Sequence, residues 1–411
     1  MNMPKMMTKT ARKKILFLHP NFPGQFKHLS EAAGNVGHDT RFLCQTHYGR
    51  SVAHVQRLTL KGRCGHDHLN AQARDQVQRT SKLANQYRQG LTRLDQTGWR
   101  PDIVVSHSGW GCGLHVKELW PECQHIAYVE WWFDPQSEFF SYDQLNVDLN
   151  FSKNQTEKHW LRNQALALEL VSADIIIAPT HWQAQQLPSI LRERCFVIHD
   201  GIDLEQFRSG SQVTDHRESQ AILTYGTRGM EPMRAFPQFI QSLPELLQIH
   251  TNLRVEIAGT DEIHYGGRPP KDHQSWGDWA KYFLDRRNSS SKVKWLGSLP
   301  TKKYINWLQH SSCHIYLTHP FVASWSLLEG LACDCPMVVS DVPPVREICQ
   351  ASKAVVTLAD HRDPKALTRA IDSVLKAPEQ KRPKAVLENY SRAVTLQQWG
   401  CVAGVELSTN G

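Results

Sequence analysis

Residues Pro320 to Glu347, PFVASWSLLEGLACDCPMVVSDVPPVRE, read as a loop, a helix, a strand and a second loop. Ser324 and Ser326 stand just before the apolar run Leu327, Leu328, Leu331, Ala332, which is a helix start with a hydroxyl near its N-cap. The first N–H groups of such a helix have no intrahelical partner and suit a phosphate. Glu329 lies one turn in, directed back toward that same end, where a carboxylate would accept from a hydroxyl such as that of a ribose. Cys333-Asp334-Cys335-Pro336 stops the helix before the apolar strand Met337-Val338-Val339. An ordinary capped αβ unit of a parallel sheet has the same pattern, so the choice rests on the rest of the chain.

Working outward, the strand-and-helix alternation continues in both directions. Lys14–Leu43 opens with the strand Ile15-Leu16-Phe17-Leu18, a loop His19–Gln25, a helix through Ala33 and a second strand at Thr40–Leu43. Further short apolar strands are expected at Ile103–Ser106, His125–Val129, Ile175–Ala178 and Phe196–His199. After a polar, Ser-rich stretch, the pattern restarts with strands at Ala221–Tyr225, Arg254–Ala258, Val293–Leu296, His314–Leu317 and Met337–Val339. Helices near Phe236–Ile249, Lys303–His310, Ser326–Cys333 and Pro364–Ala377 separate them, while Gly259–Ser289 reads as a long loop. This predicts an α/β protein of two Rossmann-like, doubly wound domains facing across a cleft, with ligands at the carboxyl ends of strands. The expected divisions are a disordered basic start at 1–13, a first domain at 14–203, a linker at 204–220, a second domain at 221–384, and a C-terminal helix at 385–411 that packs back on the first domain.

Composition narrows the class. The 411 residues carry a formal charge of +7, but the first 100 hold 17 Lys and Arg against 5 Asp and Glu, and the remainder 30 against 35. A basic N-terminal part would meet an anionic membrane surface or a phosphorylated acceptor, or simply be solvated; nucleic acid is not expected, because no reader motif accompanies the charge. Much of that charge lies on the helical, mostly polar stretch Asn70–Thr97. No apolar run reaches the roughly 18 residues of a membrane span, and Met1–Lys14 lacks the apolar core of a signal peptide. Ten scattered cysteines form no Cys-x-x-Cys pair, which fits reduced thiols in a cytoplasmic protein. His66-Asp67-His68 is too isolated for a metal site, and no Asp-x-Asp pair follows a strand, so no metal is expected.

The loops after strands hold the candidate groups. Gly24 sits where a helix begins, letting backbone approach a phosphate, or making a tight turn; GxGxxG and Walker spacings are both missing. His107, with Ser108-Gly109-Trp110-Gly111 after it, could bond a substrate hydroxyl or handle a proton. Glu130, Trp131 and Trp110 offer a carboxylate and flat faces that suit a sugar or a domain core. Arg228 and Arg234, between a strand and a helix, present two guanidinium groups to a diphosphate, with a surface ion pair to Glu231 as the competing explanation.

Together these loops resemble, over almost the whole chain, the family-4 retaining glycosyltransferases of the GT-B fold. Phe321-VASWSLLEGLACDC-Pro336 aligns with the family's Glu-Gly-Phe-Gly and Glu-Ala-Met-Ala-x-Gly-x-Pro elements. His199-Asp-Gly-Ile-Asp203 is similar to its Asn-Gly-Val-Asp element, and Pro179-Thr-His-Trp-Gln183 to the segment before it. The resemblance implies that Glu329 binds the nucleotide ribose as the second acid of a Glu-x7-Glu pair. The first acid, a donor-sugar contact in relatives, is replaced here by Phe321. Arg228 and Arg234 take the place of the Arg and Lys that stabilise the leaving diphosphate, one residue further apart than usual. Gly24 matches the phosphate-loop glycine, His107 a histidine near the donor sugar, and Ser324, Trp325 and Ser326 the amides that meet sugar or diphosphate.

The implied activity is that of a hexosyltransferase needing no cofactor. It would move a sugar from a UDP- or GDP-sugar to a glycan, lipid-linked or other hydroxyl acceptor, without a metal and with retention of configuration, at the inner face of a membrane or free in the cytoplasm. A non-catalytic sugar-nucleotide or glycan-binding protein and a GT-B sugar-nucleotide epimerase are the alternatives; a phosphorylase would need a pyridoxal-binding lysine and a longer chain.

Overall fold

Strands that are apolar on both faces belong in the middle of a covered parallel sheet, and the two runs Ile15–Leu18 and Ile103–Val105 take that place. The computed structural model describes residues 11–60, 76–149, 151, 153–210 and 220–407. His66-Asp67-His68, most of the basic start and most of the expected linker lie outside the described residues.

The chain divides into two units. The first holds a seven-stranded parallel sheet of β1 (Lys14–Leu18), β2 (Asp39–Cys44), β3 (Val55–Thr59), β4 (Ile103–His107), β5 (Gln124–Tyr128), β6 (Ile175–Ala178) and β7 (Cys195–Val197), in the order β3-β2-β1-β4-β5-β6-β7. One face is covered by the helix Lys27–Asn35 and the C-terminal helix Arg392–Ala403, through Leu29, Ala32, Leu396 and Trp399. The other is covered by the helix Gln76–Gln96, whose Leu83, Tyr87, Leu91 and Leu94 recur at helical spacing and pack on Leu16, Leu18 and Val104. That buried stripe is why so polar a segment is a helix, and it leaves Arg88 and Arg93 outside.

The second unit holds a six-stranded parallel sheet of β8 (Ile222–Gly229), β9 (Arg254–Thr260), β10 (Val293–Gly297), β11 (Cys313–Tyr316), β12 (Met337–Ser340) and β13 (Thr357–Ala359), in the order β10-β9-β8-β11-β12-β13. β3 and β13 were not expected from sequence. Both are edge strands, paired on one side only, so Val-Gln-Arg-Leu-Thr and Thr-Leu-Ala carry no two-sided apolar run. The expected loop Gly259–Ser289 contains a helix, Trp276–Asp285, capped by the Ser275 hydroxyl accepting from the Asp278 amide and buried through Trp276, Ala280 and Leu284.

The first domain is not one continuous piece. Pro135–Thr156 clusters with the second unit, tied there by the Arg268 amide donating to the Asp148 carbonyl (2.6 Å), His319 Nε2–H to the Phe139 carbonyl (2.6 Å) and Arg362 to the Tyr142 carbonyl (2.9 Å). Among the described residues no helix is long and apolar enough to cross a membrane.

Behind β4 the first unit buries a polar cluster. Ser106 Oγ donates to Glu169 Oε1 (2.6 Å) and accepts from His125 Nε2 (2.8 Å), and Glu169 Oε2 accepts the Gly113 amide (3.2 Å). Burial pushes the Glu169 carboxyl up to about 7 from an ordinary 4.5. Between those values the folded protein binds a proton that the unfolded chain has lost, so this group's contribution to stability declines as pH rises through the window, by at most about 1.4 kcal/mol per pH unit. Glu169→Gln should therefore flatten the fall in thermal midpoint between pH 5 and pH 8. An unchanged fall would show that Glu169 is not the group responsible.

Candidate functional site

In the first sheet the strand order reverses between β1 and β4, so the loops leaving their carboxyl ends lie side by side. His19 follows β1 and His107 ends β4; their rings meet edge to face with centroids 5.0 Å apart. Gly24 opens the short turn Gly24–Phe26 ahead of the helix Lys27–Asn35. Its φ is +52°, and a Cβ there would stand 2.8 Å from atoms of the His19 ring. The glycine thus meets two demands at once, a left-handed backbone and room for an imidazole.

Gln25 joins the two histidines: its Oε1 is 2.9 Å from His19 Nε2 and its Nε2 is 3.5 Å from His107 Nε2. Glu130 Oε2 lies 3.5 Å from that same His107 nitrogen. His107 is 3 % exposed, and its Nδ1 has no partner in the protein. Burial, with the neighbouring His107 adding to it, pushes His19 down to about 3, so His19 is neutral at any working pH. Trp110 stands beside His107 with the Arg79 guanidinium 5.5 Å from its ring centroid. Trp131 instead turns into the core against Phe133 and Trp182 and is 7 % exposed, which leaves it little surface for a ligand.

In the second sheet the order reverses between β8 and β11. β8 runs further than its sequence suggests, through a register shift between Gly226 and Gly229, so Arg228 lies within the strand's end and is exposed. Arg234 ends the turn Pro232–Arg234 and is buried; its Nη1 donates to Thr318 Oγ1 (2.6 Å), and its guanidinium lies 4.6 Å from the Tyr265 ring centroid. Glu231 is not half of a surface ion pair. It is wholly buried, with Oε2 accepting the backbone amides of His264 (2.8 Å), Tyr265 (2.8 Å) and Gly266 (3.3 Å), while Oε1 has no partner. Glu231 thereby ties the loop that carries Tyr265 to the turn that carries Arg234.

Thr318 begins the stretch that leads from β11 to the helix Trp325–Ala332. Phe321 is half-buried there, 5.4 Å from the Phe139 ring and 6.1 Å from the Tyr265 ring. Ser324 holds the N-cap position but caps nothing: its hydroxyl pairs with Ser326 Oγ (2.6 Å) and donates to the Tyr316 hydroxyl (3.3 Å), while its amide donates to that hydroxyl as well (2.9 Å). The first-turn amides are therefore left without a side-chain cap, at the positive end of the helix dipole. Trp325 is 45 % exposed. Glu329 accepts from the hydroxyl of Tyr304, on the helix Thr301–Gln309, and burial pushes its carboxyl up to about 7.

Sequence reasoning missed His19, Gln25, Tyr265, Thr318 and Tyr304. His19 had a legible signal, a polar ring directly after a buried strand, as His107 has; Tyr265 and Tyr304 had none, being brought in by a loop and a helix remote in sequence.

Two doubly wound units, each with polar side chains gathered at its switch point, make up the GT-B fold of nucleotide-sugar transferases. The family profile of the glycosyl transferase family 4 group matches residues 36–207, that of glycosyl transferases group 1 matches residues 211–392, and the chain belongs to these family-4, group-1 glycosyltransferases. Sucrose-phosphate synthase from Thermosynechococcus elongatus has the same fold, with a TM-score of 0.69 at 14 % identity over 95 % of this chain and 98 % of that one. Anabaena HepE, solved with UDP and glucose, gives 0.63 at 14 % identity over 96 % and 100 %. The α,α-trehalose 6-phosphate synthase of Burkholderia multivorans gives 0.67 at 11 % identity over 96 % of each chain. No curated protein matches the sequence.

Gly24→Ala should destabilise the first unit by about 2 kcal/mol, the sum of left-handed strain and a displaced imidazole. Adding His19→Ala should recover part of that loss in urea unfolding. If the double variant is no more stable than Gly24→Ala alone, the His19 ring is not what constrains the glycine.

Proposed function

We propose that the protein is a retaining hexosyltransferase, which moves a sugar from a UDP- or GDP-sugar to a hydroxyl of a glycan or a lipid-linked acceptor without a metal ion. The observation that carries this reading is the arrangement at the second switch point. A buried guanidinium, Arg234, is held by Thr318 and Tyr265 beside the stretch leading to an uncapped helix N-terminus. Fixed donors of this kind favour charge that develops on a leaving diphosphate, because they need no reorganisation as the bond breaks.

In this reading Arg228, Arg234 and the amides of Trp325 and Ser326 receive the diphosphate, and Glu329 accepts the ribose hydroxyls. Phe321 closes the donor pocket with an apolar ring where relatives have an acid. Gly24 and His107 belong to the sugar side, and Glu130 and Trp110 to the acceptor. The bond from the anomeric carbon to the diphosphate breaks, a bond to the acceptor oxygen forms on the same face, and the acceptor proton passes to the departing phosphate oxygen. HepE, whose structure was solved with UDP-glucose, favours UDP-glucose as the first donor to try. The excess of basic residues in the first 100 suits an anionic membrane surface, which would place a cytoplasmic enzyme at the inner face where lipid-linked acceptors lie.

Incubation with UDP- and GDP-sugars, followed by assay of released UDP or GDP, tests the reading directly. Tight binding of a donor with no release under any acceptor condition would leave a binding protein instead of an enzyme. Arg234→Ala should lower turnover about a hundredfold or more through lost charge stabilisation. Turnover at the unsubstituted rate would remove Arg234 from the site.

A further inference from the structure

A backbone N–H can only donate, so the bond from the Asn21 amide to His19 Nδ1 (2.9 Å) makes that nitrogen an acceptor and puts the His19 proton on Nε2. His19 Nε2–H therefore donates to Gln25 Oε1 (2.9 Å). This orients the Gln25 amide, so that its NH₂ end faces His107 Nε2 at 3.5 Å. Glu130 Oε2 stands at the same 3.5 Å from that nitrogen. The two neighbours make opposite demands, since the NH₂ group requires a lone pair and the carboxylate requires a proton. His107 Nδ1 is buried and without a partner, so no hydrogen bond on the far side of the ring fixes either tautomer.

We propose that Gln25, oriented by His19, is a positioning residue that holds His107 uncharged, with its proton on Nδ1 and a lone pair on Nε2, against the pull of Glu130. The proposal rests on the reading of His107 as a donor-sugar contact and deepens it. Glycosyl transfer passes through a sugar with oxocarbenium-like positive charge, and an imidazolium beside it would repel that charge. A neutral ring carries no such charge. The remaining titratable groups facing His107 are Tyr128 on β5, which burial keeps un-ionised with its ring 5.4 Å away, and Glu169 on the helix Asn163–Ser172 behind β4. Neither of them supplies a donor to Nε2.

Long-range 1H–15N correlation spectra of the full chain labelled at histidine report the tautomer without any turnover, with His107→Ala used to assign the signal. The expected result at pH 7.5 is a protonated Nδ1 and a bare Nε2 in the unsubstituted protein, and a protonated Nε2 in both Gln25→Met and Gln25→Glu. Glutamate keeps the size of the side chain but offers no donor to His107, so a role in packing alone would be rescued by it and the proposed role would not. With UDP-glucose as donor, both variants should lose about tenfold in kcat for UDP release while KM stays within twofold. The proposal is overturned by a protonated Nε2 in the unsubstituted protein, or by a tautomer that does not change in either variant. If His107→Ala releases UDP at the unsubstituted rate, the reading of His107 as a sugar contact fails, and the tautomer result is unaffected by that failure.

Discussion

A parallel strand covered on both faces can present a polar side chain to a ligand only where it leaves the sheet. β1 and β4 in the first unit, and β8 and β11 in the second, are such strands, and each pair flanks the point where the strand order reverses. Several groups of the candidate site follow that constraint. His19, Gln25 and His107 gather after one pair, Arg234, Thr318 and the start of the helix Trp325–Ala332 after the other. The positions are set by the sheets, and the loops supply only the groups.

Both units bury polar groups near their switch points. In the first, the buried groups are neutral or share protons: His19 is held uncharged, and Ser106, His125 and Glu169 satisfy one another behind β4. In the second, burial likewise pushes the Glu329 carboxyl up to about 7 and His314 down to about 3. Glu231 Oε2 accepts three successive backbone amides, and Arg234 meets a hydroxyl and an aromatic face.

Much of this was legible in the chain before folding. The helix Phe236–Ile249 and the strand Ile175–Ala178 have the bounds that periodicity predicts, because both bury an uninterrupted apolar pattern. β3 and β13 were hidden because an edge strand needs only one apolar side. Arg234 and Glu329 were singled out by their positions after strands and at a helix start, and Phe321 by resemblance, while the meaning of Glu231 was inverted: a charge beside an arginine in sequence reads as its ion-pair partner, whereas three amides from a loop some thirty residues away claim it. Ser324 likewise held the cap position without capping, because the Tyr316 hydroxyl and Ser326 compete for it.

The sequence by itself determined the alternation of strand and helix, the two-unit α/β plan and the residue types at each switch point, since apolar period and turn chemistry are local properties. Only the tertiary structure decided that Pro135–Thr156 belongs with the second unit, that Gly24 makes room for His19, and that Gln25 stands between two imidazoles. Those facts depend on which side chains meet across a sheet, and hydrogen-bond direction has no meaning until donor and acceptor are brought face to face.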